Sequence, residues 1–180
     1  MTPVARSRTG SAALAAVVFA ITWSLKRFYS AAGSDQLQWL LAPTAWLVSL
    51  ASGVAFDLEP HHGYLSRGSM FEIAPACAGV NFLIVAFASL ALGLAHACTT
   101  ARARVTLLAA SAAAAYAATV LANASRIALA VRLHEAGASW GALTPARLHC
   151  AEGVAVYFLF LLAVFAAATK LAESRRAPAC

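Results

Sequence analysis

Five long apolar runs dominate the sequence and limit what the chain can fold into. They cover residues 10–25, 37–56, 74–97, 105–122 and 151–169. A helix needs about 20 predominantly apolar residues to cross a bilayer. With 62% hydrophobic and only 11% charged residues, the 180-residue chain also has too little polar surface to cover a soluble globule. We therefore expect an all-α integral membrane protein, a bundle of about five transmembrane helices that forms a single membrane-embedded domain over residues 1–180.

The formal charge of +6 is distributed as a membrane protein requires. Short segments flanking the apolar runs hold seven of the 13 basic residues, namely Lys26, Arg27, Arg102, Arg104, Lys170, Arg175 and Arg176. Basic residues in such places determine topology and do not form a nucleic-acid footprint. The expected partner is therefore the lipid bilayer, and no nucleic-acid partner is expected.

The first apolar run has a second interpretation as a signal peptide. Arg6 and Arg8 precede it, and residues 30–32 read "SAA", a possible cleavage site. Lys26 and Arg27 lie between the apolar run and that site, which favours a retained helix.

Charge counting gives an expected orientation for a chain with five crossings. If residues 1–8 lie outside, the inner face carries Lys26, Arg27, Arg102, Arg104 and the basic C-terminal tail. The outer face then receives most of the acidic residues, as the positive-inside tendency requires. The loops 57–73 and 134–150 fall outside in this arrangement.

Three reactive residues interrupt the apolar pattern near helix ends, and connectivity places them on one side of the membrane. Cys77 opens the third run behind Pro75, a suitable first-turn residue, so the helix N-terminus favours the nucleophilic thiolate. Arg126 lies inside an extended apolar helix, where a charge needs a partner or a wet cavity, and Asn123 projects from the same helix face. His149 opens the fifth run, and composition alone leaves His134 as an alternative. The simpler interpretations are a packing cysteine, an interfacial anchor and an interfacial histidine.

Other functions remain open at this point. The segment "DLEPHHG", residues 57–63, holds acids and histidines, but its spacing fits no standard metal-ligand pattern, so no metal site is expected. Cys77 and Cys150 share a face and suggest a membrane thiol oxidoreductase, although no C-x-x-C pair is present. A small transporter or structural subunit is a third possibility, with Arg126 paired to Glu72 or Glu152.

The motifs "PACAGVNF" around Cys77, "NASRIAL" around Arg126 and "HCAEGVAVYF" around His149 resemble, in this order, the exosortase and archaeosortase family. The short chain looks like the exosortase K branch of that family. The resemblance implies that Cys77, Arg126 and His149 form a catalytic set, and Asn81 and Asn123, which lie in the same motifs, are expected to support it.

The resemblance also implies a function and a location. It implies a cysteine-type protease or transpeptidase of the bacterial inner membrane that acts through a thioester, with its active site facing outward. Its substrates would be exported proteins that end in a short motif, a transmembrane helix and a basic tail. No cofactor is expected.

Overall fold

The computed structural model describes residues 3–66, 71–95, 98–135 and 145–174, with side chains from residue 10 in the first helix and from residue 150 in the last. These residues form five helices: α1 (Pro3–Tyr29), α2 (Gln38–Ser52), α3 (Val80–Gly93), α4 (Ala101–Glu135) and α5 (Pro145–Ser174). Short 3₁₀ turns at Asp35–Leu37 and Pro75–Cys77 precede α2 and α3. The expected all-α integral membrane fold is confirmed.

Four of the five helices in the described ranges are long and apolar enough to cross a membrane: Gly10–Tyr29, Pro75–Gly93, Ala101–Glu135 and Cys150–Ser174. The structure differs from the expectation at the second apolar run. There, α2 has only 15 residues and spans about 22 Å, less than the roughly 30 Å of a bilayer core. It ends because Gly53 adopts a left-handed conformation, with φ of 77°, and caps the last turn.

The direction of α1 corrects the expected charge distribution. The guanidinium of Arg104, near the start of α4, lies directly against Gly10. At the other end of α1, Lys26 Nζ donates a 2.8 Å hydrogen bond to Asn81 Oδ1 in the first turn of α3. The end of α1 and the start of α3 therefore lie at the same end of the α1–α3 pair, so the segment between Lys26 and Asn81 returns to the end from which it leaves. Placing Lys26 on the same face as Arg104 was wrong.

A small antiparallel sheet, not predicted from the sequence, occupies part of the loop between α2 and α3. Its strands are β1 (Asp57–Glu59), β2 (Gly63–Leu65) and β3 (Glu72–Ile73), in the order β1-β2-β3. Tyr64 pairs with Leu58 and Ile73, and its hydroxyl donates a 2.9 Å hydrogen bond to Gln38 Oε1. The sheet is thereby tied to the first turn of α2.

The chain divides into two compact units, and both α4 and α5 contribute to each. The first unit comprises Met1–Ser30, Val80–Ala118 and Leu161–Cys180, and the second comprises Ala31–Gly79 and Thr119–Phe160. In the first unit, Leu14 and Val18 of α1 and Leu90 of α3 are among the buried residues. The core of the second unit includes Leu37, Leu40, Leu41, Val48, Ile73 and Val131. The candidate catalytic residues belong to this second unit.

Candidate active site

Cys77 lies in a single 3₁₀ turn ahead of α3 and not in the first turn of that helix. The Cys77 amide donates to the Ala74 carbonyl at 2.8 Å, and the Ala78 amide donates to the Pro75 carbonyl at 3.0 Å. Gly79 then takes a left-handed conformation, with φ of 73°, before α3 begins. The expectation that Cys77 belongs to the N-terminal turn of the apolar helix is therefore corrected. Cys77 is half-exposed, and because it lies outside α3, contacts with other helices must hold its backbone in place.

Asn123 of α4 supplies such a contact. Its side chain is fully buried, and its Nδ2 donates a short hydrogen bond to the Cys77 carbonyl. Its Oδ1 accepts hydrogen bonds from the Tyr157 hydroxyl at 2.9 Å and from Arg126 Nη2 at 3.3 Å. Since the Cys77 carbonyl only accepts and Arg126 only donates, this arrangement fixes the orientation of the amide. Asn123 thus connects the backbone of the candidate nucleophile to the guanidinium of Arg126.

Arg126 is only 9% exposed, although it is a charged residue within a membrane helix. Its guanidinium lies 5.7 Å from the centroid of the Tyr157 ring, within cation–π range. Gly153 of α5 leaves room for it, because a Cβ at that position would stand 3.2 Å from Arg126 Cδ. Glu152 lies within electrostatic reach of Arg126. The arrangement keeps a positive charge buried beside Asn123.

Gly79 lets Cys77 come close to α4 and α5. A Cβ there would meet Thr119 Cγ2 at 3.1 Å, Asn123 Cγ at 3.5 Å and the Tyr157 hydroxyl oxygen at 3.6 Å. An added Cβ would press against Thr119 and stand in ordinary contact with the other two, in a left-handed conformation that L side chains rarely adopt. The glycine that follows the cysteine in "PACAG" therefore has both a conformational and a packing role.

The backbone of His149 belongs to α5, but its side chain lies outside the described residues. In the helical register, His149 precedes Gly153 by four residues and Tyr157 by eight. Positions with this spacing share one helix face, and Gly153 and Tyr157 both face Arg126. The proximity of His149 to Cys77 stays a prediction.

Asn81, expected to support the catalytic set, has a different contact. It is exposed, and its Oδ1 accepts the hydrogen bond from Lys26. His61, from the histidine-containing loop, contacts Asp35, with 3.0 Å between Nδ1 and Oδ2, and both side chains are largely exposed. Among the described residues, no three histidine, cysteine or acidic side chains lie close enough to hold a metal.

Sequence reasoning did not identify Tyr157, Gly79 or Gly153 as parts of this site. Gly153 and Tyr157 follow His149 by four and eight residues in "HCAEGVAVY". This helical spacing could have indicated that they share a helix face with His149. Cys150, considered above as a redox partner, is an exposed free thiol, and Cys77 is also free.

The comparisons with known proteins give one match. The sequence model of a family described as transmembrane exosortase matches residues 3–166. No curated protein and no solved structure matches the chain. The matched range covers most of the sequence and includes the candidate residues Cys77, Arg126 and His149 together with their surroundings on α4 and α5. On that extent of agreement, this helical membrane protein belongs to the transmembrane exosortase family.

Proposed function

We propose that the protein is a membrane cysteine protease or transpeptidase that cleaves the C-terminal sorting segment of exported proteins. The observation that supports this most is the hydrogen bonding of Asn123, which joins the Cys77 backbone to the Arg126 guanidinium in one buried network. A nucleophile beside a fixed positive charge suits acyl transfer, because the charge stabilises the oxyanion of the tetrahedral intermediate.

Each proposed step uses a side chain of this chain. The Cys77 thiolate attacks the peptide carbonyl, and Arg126 binds the oxyanion that forms. The intermediate collapses when the C–N bond breaks and His149 gives a proton to the leaving amine, which leaves a thioester on Cys77. His149 then takes a proton from water or from an acceptor nucleophile, which attacks the thioester. The C–S bond breaks, the Cys77 thiolate is released, and His149 is protonated again. The stabilisation from Arg126 is worth about 3 kcal/mol in the transition state.

The proposed substrates end in a short motif, a transmembrane helix and a basic tail. Such a segment presents its motif at the membrane surface. The second unit contains both Cys77 and the sheet β1–β3. The sheet is therefore the part of the loop between α2 and α3 that we expect to contact the substrate.

We also propose that the site faces outward from the bacterial inner membrane, on the basis of the corrected charge distribution. In sequence, the segments before residue 10, between residues 98 and 104 and after residue 169 hold seven basic residues and one acid, Glu173; the basic residues are Arg6, Arg8, Arg102, Arg104, Lys170, Arg175 and Arg176. The remaining six acids belong in sequence to the segment that connects α1 to α3, to the end of α4 and to the start of α5. They are Asp35, Asp57, Glu59, Glu72, Glu135 and Glu152. The positive-inside tendency therefore assigns the Arg104 end to the cytoplasm.

Labelling with a membrane-impermeant maleimide tests the orientation. In intact spheroplasts, Cys77 should react, whereas Cys98, in the turn before α4, should react only after lysis. Single-cysteine variants make the assignment unambiguous. Labelling of Cys98 but not Cys77 in intact cells would place the site in the cytoplasm and contradict a role in processing exported proteins.

Co-expression with a candidate substrate tests the activity. The substrate is an exported protein of the same cells that ends in a short motif, a transmembrane helix and a basic tail, and its size is followed on a gel. Cys77→Ser should abolish processing, whereas Cys150→Ser should process normally because its thiol has no part in the proposed chemistry. Loss of processing in both variants, with the two thiols joined in a disulfide, would favour the oxidoreductase.

A further inference from the structure

A groove of about 770 Å³ lies in the first unit, where α3 ends and α4 begins. Alanine and leucine side chains from α3, α4 and α5 form most of its wall, including Leu90, Ala110 and Leu171. All three helices belong to the candidate membrane spans. An occupant of the groove must therefore be apolar over most of its length.

The groove is about as long as one leaflet of a bilayer. Its lining on α4 runs from Arg102 to Ala114, about 18 Å at 1.5 Å per residue. One leaflet is roughly half of a 30 Å bilayer core. An acyl chain that enters from one membrane surface matches this length.

One end of the groove is polar and positively charged. Arg102 is exposed there and lines the groove together with Thr100. Thr100 Oγ1 accepts a 3.2 Å hydrogen bond from the Ala103 amide, so its own hydroxyl proton is available to a ligand. Arg104, two residues further along, lies against Gly10 instead. The groove therefore offers one guanidinium and one hydroxyl at the membrane surface, a combination that complements a phosphate.

We propose that this groove binds an anionic phospholipid, with an acyl chain along α4 and its phosphate at Arg102 and Thr100. Basic pockets between transmembrane helices are suited to anionic headgroups. A transmembrane helix with a basic tail would meet the like charge of Arg102 and is disfavoured by it. The proposal does not depend on the peptidase activity, because none of these residues belongs to the Cys77 site.

Native mass spectrometry of the full-length protein tests the proposal. The detergent-solubilised protein is incubated with equal amounts of phosphatidylglycerol and phosphatidylcholine, and the retained lipid is measured. The wild type should prefer phosphatidylglycerol. Arg102→Ala should lower that preference about fivefold, as expected for one arginine at an anionic surface. Lys170→Ala, which removes a basic side chain outside the lining of the groove, should lower it less than twofold.

A pair of alanine substitutions in α4 tests the apolar part of the groove. Ala110→Phe fills it and should remove retention of both lipids, whereas Ala112→Phe, at an exposed position outside the lining, should leave retention unchanged. If Ala110→Phe fails to fold, the comparison of Arg102→Ala with Lys170→Ala decides the question.

Three results would overturn the proposal. The first is an equal loss of lipid preference in Arg102→Ala and Lys170→Ala, which would indicate general surface attraction. The second is normal retention of phosphatidylglycerol by folded Ala110→Phe. The third is a lipid-free dimer that Ala110→Phe dissociates, which would assign the groove to a second copy of the chain.

Discussion

Asn123→Asp tests whether the hydrogen bond to the Cys77 carbonyl holds the nucleophile in place. The substitution keeps the size of the side chain and the oxygen that accepts from Tyr157 and Arg126. It replaces the Nδ2 donor with an oxygen that cannot donate to the Cys77 carbonyl. Only one contact of the network is therefore lost, and it is the one that reaches the candidate nucleophile.

The expected magnitudes follow from the burial and partners of Asn123. Removing the partner of a buried polar group costs about 1–3 kcal/mol, and Arg126 beside the new carboxylate offsets part of that cost. We expect the free energy of unfolding to fall by about 1–2 kcal/mol, which leaves the protein folded. Processing should fall about 100-fold, since a displacement of about 1 Å in a reacting group costs that much.

Asn81→Asp is the matched control, because it makes the same chemical change at the only other asparagine in the chain. Asn81 is exposed and bonded to Lys26, so an aspartate there forms a surface ion pair worth about 0–1 kcal/mol. Thermal unfolding in detergent gives the stabilities, and gel analysis of the co-expressed substrate gives the processing rates. Wild-type processing by Asn123→Asp, or an equal effect of the two substitutions, would refute the positional role of Asn123.

Two further substitutions test other parts of the site. Gly79→Ala should destabilise the protein by about 1–3 kcal/mol and impair processing, because a Cβ would stand 3.1 Å from Thr119 in a left-handed conformation; unchanged melting and activity would show that the turn adjusts. Arg126→Lys keeps the charge but loses the planar set of donors and should impair processing strongly. Arg132→Lys should be mild, since Arg132 is exposed and donates to the Ala51 carbonyl, and equal tolerance at both positions would make Arg126 an interfacial anchor.

The sequence predicted those parts of the fold that depend on local hydrophobicity. Runs of apolar residues identified all five helices. Connectivity predicted that Cys77 near the start of α3, Arg126 in the second half of α4 and His149 near the start of α5 lie on one side. The extent of α4 was underestimated: it continues to Glu135, and its 35 residues span about 52 Å. The apolar residues "IALAV" after Arg126 had indicated that the helix continues past that residue, but they did not indicate its end at Glu135.

Features that depend on tertiary contacts were not predictable in this way. The run at 37–56 has the composition of a span, yet α2 stops at Ser52, and Lys26 returns to the end where α3 starts. Strands of two or three residues, such as β3, are too short to show an alternating pattern. The charge count treated the run at 37–56 as a full span, and it therefore assigned Lys26 to the wrong end of the α1–α3 pair.

The candidate catalytic residues were predictable from local sequence, whereas the contacts that surround them were not. Cys77 and Arg126 stood out because a thiol and a guanidinium are unusual in an apolar helix. Tyr157 did not, since an aromatic residue in a membrane helix has many ordinary roles. Its spacing from His149 is a weak signal, and its contacts with Asn123 and Arg126 are what place it in the candidate site. The left-handed turn at Gly79 likewise follows from the close packing of α4 and α5, which no local pattern of the sequence encodes.

Direct detection of the covalent intermediate tests the proposed chemistry most directly. Wild-type protein is incubated with substrate while the acceptor nucleophile is limiting, and the modified peptide is identified by mass spectrometry after rapid denaturation. We predict an acyl group attached through a thioester to Cys77, released by hydroxylamine and absent from Cys77→Ser. Cleaved substrate without any acyl group on Cys77, or full processing by Cys77→Ser, would contradict covalent catalysis at this residue.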